Sequence, residues 1–302
     1  MNSKILLLGI LSLGFVQGIA QTFPLQIKDN KLNYLADDRE NRILDFSYCG
    51  YHSSERPVPE VENVLFVSWK EGNQSSRIQK AINYVASLKP DKNGFRGAVL
   101  LDKGVFELNE SLRINVSGVV LRGMDKNETI LLKKGVDRGA LLYVEGADNQ
   151  LVTDTLSVIS SYIPVNACTF EVSKETQLFK GDRIQIIRSS GKEWIASLGC
   201  ETFGGGIKAL GWKPGEIDVI WDRTIADVQS NRLTLDAPLT VSLNAKWGKT
   251  YVLRYNWPGR ISEIGLENLT LESDYDRKYA KDEEHCWTGY LWRMLRTVGC
   301  VG

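Results

Sequence analysis

The chain holds 302 residues with 37 basic and 37 acidic side chains, a balance that removes any whole-protein attraction to nucleic acid or to an anionic membrane. Hydrophobic residues form 43% of it, which excludes a disordered chain and supplies core for one or two domains. Five widely spaced cysteines without a CxxC pair and two histidines, His52 and His285, fit a structural zinc site poorly, and leave disulfides and free buried thiols both open.

Residues 1–20 read as a secretory signal. Lys4 supplies the positive end, Ile5 to Val16 the apolar run, and Gly18-Ile19-Ala20 the small-residue cleavage site. The run falls short of the roughly 20 residues a membrane span needs, so the expectation is a secreted or periplasmic protein beginning near Gln21, with no membrane contact after cleavage. From Gln21 to Pro59 periodicity is weak. Phe46, Tyr48 and Tyr51 are spaced for an extended segment that lays aromatic rings on something larger, or that offers an edge for stacking sugars. Ser76 to Leu88 predicts a helix, with Ile78, Ala81, Ile82, Val85 and Leu88 on one face and Ser75 or Ser76 as cap.

Gly97 to Gly146 is a succession of runs too short for helices: Val99 to Leu101, Val105 to Leu108, Leu112 to Ile114, Val119 to Leu121, Ile130 to Leu132 and Leu141 to Val144. Gly, Asp and Asn separate them, as turns separate strands. Val99, Val119 and Leu141 recur at about 20 residues, the length of one solenoid coil. Each coil has an apolar side it cannot bury alone, so the pattern predicts a parallel β-helix with the Ser76–Leu88 helix as its lid.

GAVLLDKGVFELNESLRI followed by SGVVLRG resembles the opening coils of the pectate-lyase-like superfamily, and Gly72 to Val85 resembles its capping helix. The resemblance covers about residues 60–146 and 259–273. It implies an all-β chain, a right-handed parallel β-helix, and a carbohydrate-active protein. It is mute on the reaction, because lyases, hydrolases, epimerases, tailspikes and adhesins share the fold. The acidic cluster usual before the cap helix is replaced by Gly72, Asn73, Gln74, Ser75 and Ser76, so no functional residue carries over from it.

The first unit is thus 21–147. Residues 148–257 break the rhythm and read as an inserted β-rich module, a small sandwich or barrel, with strands at Thr169 to Val172, Arg183 to Arg188, Arg232 to Leu235 and Thr250 to Tyr255. Insertions in solenoids gather on one face, often the binding face. Between its halves lie Trp194, Trp212 and Trp221, candidate sugar platforms since an indole joins a broad apolar face to one hydrogen-bond donor. Plain core packing is the competing reading. The Gly204-Gly205-Gly206 run lacks the lysine and context of a phosphate loop.

Residues 258–289 resume the coil pattern through Ile261, Ile264, Leu266, Leu269 and Leu271, then pass into a dense titratable run, Asp274 to Trp287. Asp276, Glu284 and His285 are candidate acid/base groups, Asp274 and Asp276 candidate Ca²⁺ ligands, and Arg277 and Trp287 candidate substrate contacts. A solvated loop of mixed charge is the alternative. Residues 290–302 show neither strand alternation nor turn residues, and read as a foreign tail left by truncation or frameshift. Three functions follow: a secreted lyase or glycoside hydrolase with its site where module meets solenoid, a non-catalytic glycan-binding or adhesin-like β-helix, or an inactive piece of a longer enzyme. In each the partner is a polysaccharide and the protein a monomer.

Overall fold

Val99, Leu101, Val119 and Leu121 alternate along their strands with residues that face the other way. In the computed structural model, which describes residues 24–301 apart from 176, 203–207, 277, 280–283, 296 and 297, these four side chains meet in one core. The described residues are mostly strands, with few helices.

The core is enclosed by three parallel ladders. The first runs Asn63–Val67, Gly97–Leu101, Val119–Gly123, Ile264–Glu267, Val298–Val301. Gly104–Leu108, Thr129–Lys133 and Thr270–Ser273 form the second. Leu112–Ile114, Ala140–Glu145 and Thr288–Arg293 form the third. The chain visits the ladders in that order, returns to the first, and lies in register on itself. Val99 sits opposite Leu121 and Leu121 opposite Leu266; Phe106 sits opposite Leu131 and Leu131 opposite Leu271. Like stacks on like, so each coil supplies the apolar floor of the next.

Leu141 to Val144 do not continue the ladder of Val119 to Leu121, as the spacing suggested. They stack in the third ladder, because one coil spends three strands and the next strand of the first ladder comes only at Ile264–Glu267. The tail also differs from expectation. Thr288–Arg293 pairs with Ala140–Glu145 and Val298–Val301 with Ile264–Glu267, while Trp292 and Leu295 pack on the main core. An outermost strand is held by backbone hydrogen bonds, which need no alternation of side chains and so leave little trace in the sequence.

The Ser75–Ser87 helix lays Ile78, Ala81, Ile82 and Val85 on this core, against strands of the first and third ladders. Neither serine caps it. Asn73 Oδ1 accepts from the Ser75 amide at 3.0 Å and the Ser75 hydroxyl at 2.7 Å, and from the Asn109 amide at 3.2 Å, joining helix start to solenoid.

Residues between Glu145 and Ile261 depart from the coils at one corner. They form an antiparallel sheet in the order Leu151–Ser157, Thr250–Asn256, Arg183–Arg188, Val219–Gln229, Arg232–Leu235, Thr169–Glu171, with its own core around Ile184, Ile186, Trp221, Leu233 and Val252. Arg260 fastens the two units: it pairs with Asp222 of the sheet, donates to the Tyr255 hydroxyl at 2.8 Å, and donates from Nε to the Leu295 carbonyl at 2.7 Å. Tyr255 itself donates to Asp222 at 2.8 Å, and burial together with that carboxylate pushes its phenol up to about 12. At Gly259 a side chain would strike the Ala147 carbonyl, so only glycine lets the strands leave and return so closely.

The N-terminal segment straddles both units. Asn41 Oδ1 accepts from the Tyr162 hydroxyl at 2.6 Å and the Val165 amide at 3.0 Å, and Arg39 lies over the Tyr162 ring, all on the inserted sheet. Farther on, Tyr51 donates to Glu263 at 2.5 Å beside the His52 ring, and packs on Val61, Phe95, Ala98 and Val120 outside the first ladder. Ahead of this strap the hairpin Leu25–Lys28 and Lys31–Tyr34 leaves Ile27 and Leu32 exposed. The signal segment, 1–20, lies outside the described residues.

Leu121→Ala should cost about 2–5 kcal/mol in chemical denaturation, since it empties the middle of an aliphatic stack. Leu32→Ala on the exposed hairpin should change stability by less than about 0.5 kcal/mol. Equal costs at the two positions would contradict this placement of the core.

Candidate functional site

The corner joining the second ladder to the third carries an exposed aromatic surface. It begins with a buried cation. Lys133 ends the Thr129–Lys133 strand at 1% exposure, and its ammonium donates to the carbonyls of Asn109 at 3.1 Å and Lys134 at 3.2 Å and to Asp137 Oδ2 at 2.6 Å. Such a charge inside a protein persists only when every donor is answered. Asp137 in turn accepts from the Gly139 amide at 2.9 Å through its other oxygen, so the turn from Lys134 to Gly139 is folded around one carboxylate. The bond from Lys133 holds the Asp137 carboxyl below its ordinary range.

That turn presents Arg138, whose guanidinium lies 5.0 Å over the Trp287 ring. Trp287 is 56% exposed. The next residue back, Cys286, is buried in the main core, where desolvation pushes its thiol up, and its Sγ donates to the Thr288 carbonyl at 3.3 Å. With Cys286 directed inward, Trp287 after it is left at the surface and His285 before it is half-buried. His285 stands 6.5 Å from Trp287 between ring centres, and Tyr275, 49% exposed, stands 5.6 Å from His285. Lys134 pairs with Asp274, and the Asp274 amide donates to the Lys133 carbonyl at 2.9 Å, tying the Tyr275 end to the same corner. The result is a row, Tyr275, His285, Trp287, with a cation at its Trp end.

Of the expected site residues this edge gathers His285 and Trp287. Asp274 is committed to Lys134 rather than to a metal. Asp276 accepts the Lys278 amide at 2.9 Å in a local turn, and Glu284 is exposed. Among the described residues no group of three His, Cys, Asp or Glu side chains could hold a metal ion, so the Ca²⁺ reading at Asp274 and Asp276 lacks a third ligand there. Arg277 and the glycine run 204–206 lie outside the described residues. Arg138 and Tyr275 carry no sequence signal of a site; a lone arginine in a turn has no pattern, and its place over Trp287 depends on two coils meeting.

The three tryptophans of the inserted sheet separate by environment. Trp221 is 5% exposed in the second core, and its indole donates to Thr240 Oγ1 at 2.8 Å, so it is a packing residue with no face left for a sugar. Trp194 and Trp212 are half-buried and stack with ring centres 6.0 Å apart and planes 26° apart. They do not line the junction of module and solenoid. Trp194 follows the Arg183–Arg188 strand, whose last residue pairs with Thr250, the end of Thr250–Asn256 remote from the coils. The junction is occupied instead by Arg260, Asp222, Tyr255 and Trp257. The four described cysteine side chains, at 49, 168, 200 and 286, are free thiols.

No family model matches the chain, and no curated protein matches it. Among solved structures it is similar to the Gp54 tailspike of Acinetobacter baumannii bacteriophage AP22 in complex with A. baumannii capsular saccharide, at 9% identity and TM-score 0.36 over 76% of this chain and 34% of that one. It is similar to the Pseudomonas phage phi297 tailspike gp61 at 13% identity and TM-score 0.35 over 67% of this chain and 28% of that one. The tailspike protein gp49 from Pseudomonas phage LKA1 gives 14% identity and TM-score 0.35 over 64% and 27%. The chain spans about a third of the length of these structures. Overlaps of this extent leave the functional reading to the chain's own geometry.

The Lys133–Asp137 clamp has a pH signature. A carboxyl whose folded pKa is depressed stabilises fully above its unfolded value, near 4, and loses that contribution as pH falls through the folded value. Asp137→Asn should therefore destabilise by about 1–2 kcal/mol at neutral pH, the low figure reflecting how exposed Asp137 is. The gap between variant and parent in urea melts should narrow as pH falls below the ordinary carboxyl value of about 4.

Proposed function

We propose that this protein is an exported polysaccharide-binding protein built on a right-handed parallel β-helix of pectate-lyase-like type, with the Ser75–Ser87 helix as its N-terminal cap and residues 148–257 as an inserted module. Residues 1–20 would be its export signal, which places the mature chain in the periplasm or outside the cell. One observation carries the reading: Tyr275, His285 and Trp287 stand in a row on the solenoid surface with Arg138 at the end. Sugar rings bind to such surfaces because their axial C–H faces lie on aromatic rings while hydroxyls find donors at the edge. Tyr275, His285 and Trp287 lie on one corner of one coil, between Thr270–Ser273 and Thr288–Arg293, and Arg138 lies on the coil stacked beside it.

Binding rather than cleavage is favoured by how the carboxylates are used. Among the described residues Asp274 is paired with Lys134 and Asp276 holds a turn amide, whereas hydrolysis of a glycosidic bond asks for two carboxyl groups facing each other across it.

Trp287→Ala and Tyr275→Ala should each weaken binding to a polysaccharide retained by the parent in affinity electrophoresis by about tenfold, the effect of losing about 1.5 kcal/mol of stacking. Melting temperatures should stay within a few degrees, because both rings are half-exposed. Retention by neither parent nor variants across neutral and acidic polysaccharides, or unchanged retention in both variants, would sink the proposal. Release of shortened chains by the parent would move it to the enzyme class.

A further inference from the structure

At the end of the inserted sheet remote from the coils lies a buried guanidinium with one edge that has no hydrogen-bond partner. Ile184 and Ile186 of the Arg183–Arg188 strand face the second core, and the same alternation carries Arg188 into the end of that core at 4% exposure. Desolvation presses its pKa down against the pull of Asp218. Nε and Nη2 of Arg188 are both shut from solvent and have no hydrogen-bond partner. Asp218 does not supply one, for its Oδ1 accepts from the Ser190 amide at 2.7 Å and the Ser190 hydroxyl at 2.9 Å. Buried guanidinium N–H groups are costly to leave unmade, and a pair of them on one edge is seldom retained without an acceptor of matching shape.

Nε and Nη2 are the two donors along one side of the guanidinium plane, the side that takes both oxygens of a carboxylate at once. Over the face of the same group lies Trp194, 4.2 Å from the Arg188 Cζ, and Trp212 extends that surface by stacking on Trp194. A planar anion fork beside a flat apolar surface fits a ring that bears an acid. We propose that this end of the inserted sheet binds a carboxylate-bearing sugar unit, with the carboxylate on the Nε–Nη2 edge of Arg188 and the ring against the Trp194–Trp212 pair. Trp194 belongs to the short Lys192–Ser197 helix, of which only Ile195 is buried, so the platform sits at the surface beside the guanidinium. The inference rests on the polysaccharide reading above, but on other residues, and it adds the acid as what is recognised.

The test measures the full chain by calorimetry against glucuronate oligomers and against glucose oligomers of the same length. The parent should bind the acidic oligomer at least tenfold more tightly. Arg188→Lys keeps the charge and removes the fork, and should cut that preference about tenfold. Trp212→Ala, which leaves the guanidinium in place, should weaken the acidic oligomer severalfold and serves if Arg188→Lys does not fold. Trp287→Ala should leave the preference unchanged while weakening binding to both. Equal binding of the two oligomers by the parent would overturn the inference while leaving the polysaccharide reading intact. The same holds for a preference that survives in folded Arg188→Lys or in Trp212→Ala, which would mean that water alone answers the Arg188 edge.

Discussion

A coil of three short strands has an inside but nothing to fill it. Val99, Phe106 and Leu112 cannot bury one another from three separate sides; they are buried because Leu121, Leu131 and Leu142 lie beside them on the next coil. Everything else follows from that dependence. The Ser75–Ser87 helix covers side chains of the coils that precede any further stacking, and Tyr51 with Val61 and Phe95 seals the outer face at Ala98 and Val120. Because the stacking is in register, a corner may be lengthened freely so long as its two ends stay one strand spacing apart.

The corner between Glu145 and Ile261 uses that freedom to the full. A six-stranded sheet with its own core hangs from it, and the geometry at the neck is correspondingly strict. Gly259 passes against the Ala147 carbonyl, Trp257 donates to that carbonyl at 2.9 Å, and Arg260 reaches Asp222 on the sheet and Leu295 on the coils with one guanidinium. Charge buried at a neck is expensive unless fully bonded, and here the Asp222 carboxylate and the Tyr255 hydroxyl also bond each other while Leu295 offers a backbone carbonyl. The neck therefore positions the sheet and is poor ground for a ligand.

Much of the architecture is legible in residue order. Short Val, Ile and Leu runs between turn residues are strands whatever surrounds them, and the Ile78, Ala81, Ile82, Val85 stripe is a helix face. Which strand stacks on which is less legible: Val119 is followed on its own ladder by Gly265 and its neighbours, beyond the whole insertion, and spacing alone pointed to Leu141. The strands after Trp287 were hidden because an outer strand can be held by backbone alone. Site residues divided similarly. Trp287 and His285 stood out by type, whereas Arg138 acts through Trp287, more than a hundred positions away, Tyr275 through the corner that brings it to His285, and Arg188 through a guanidinium edge that has no acceptor. Trp221 shows the reverse: a residue conspicuous in sequence whose Thr240 contact and burial make it ordinary packing.

The N-terminal strap sets an order in time. Asn41 needs Tyr162 and Val165, and Tyr51 and His52 need Glu263, so the segment made first finds its hydrogen-bond partners only when most of the chain exists. Contacts of such separation form late, after the loops they close have been shortened by other structure. Coils can add one upon another as they emerge, and the inserted sheet can collapse by itself, but the strap docks only when both are in place. Its arrival converts two folded units into one cooperative body, and a chain that has not reached that stage still shows Tyr51 and the face of Ala98 and Val120 to whatever handles it.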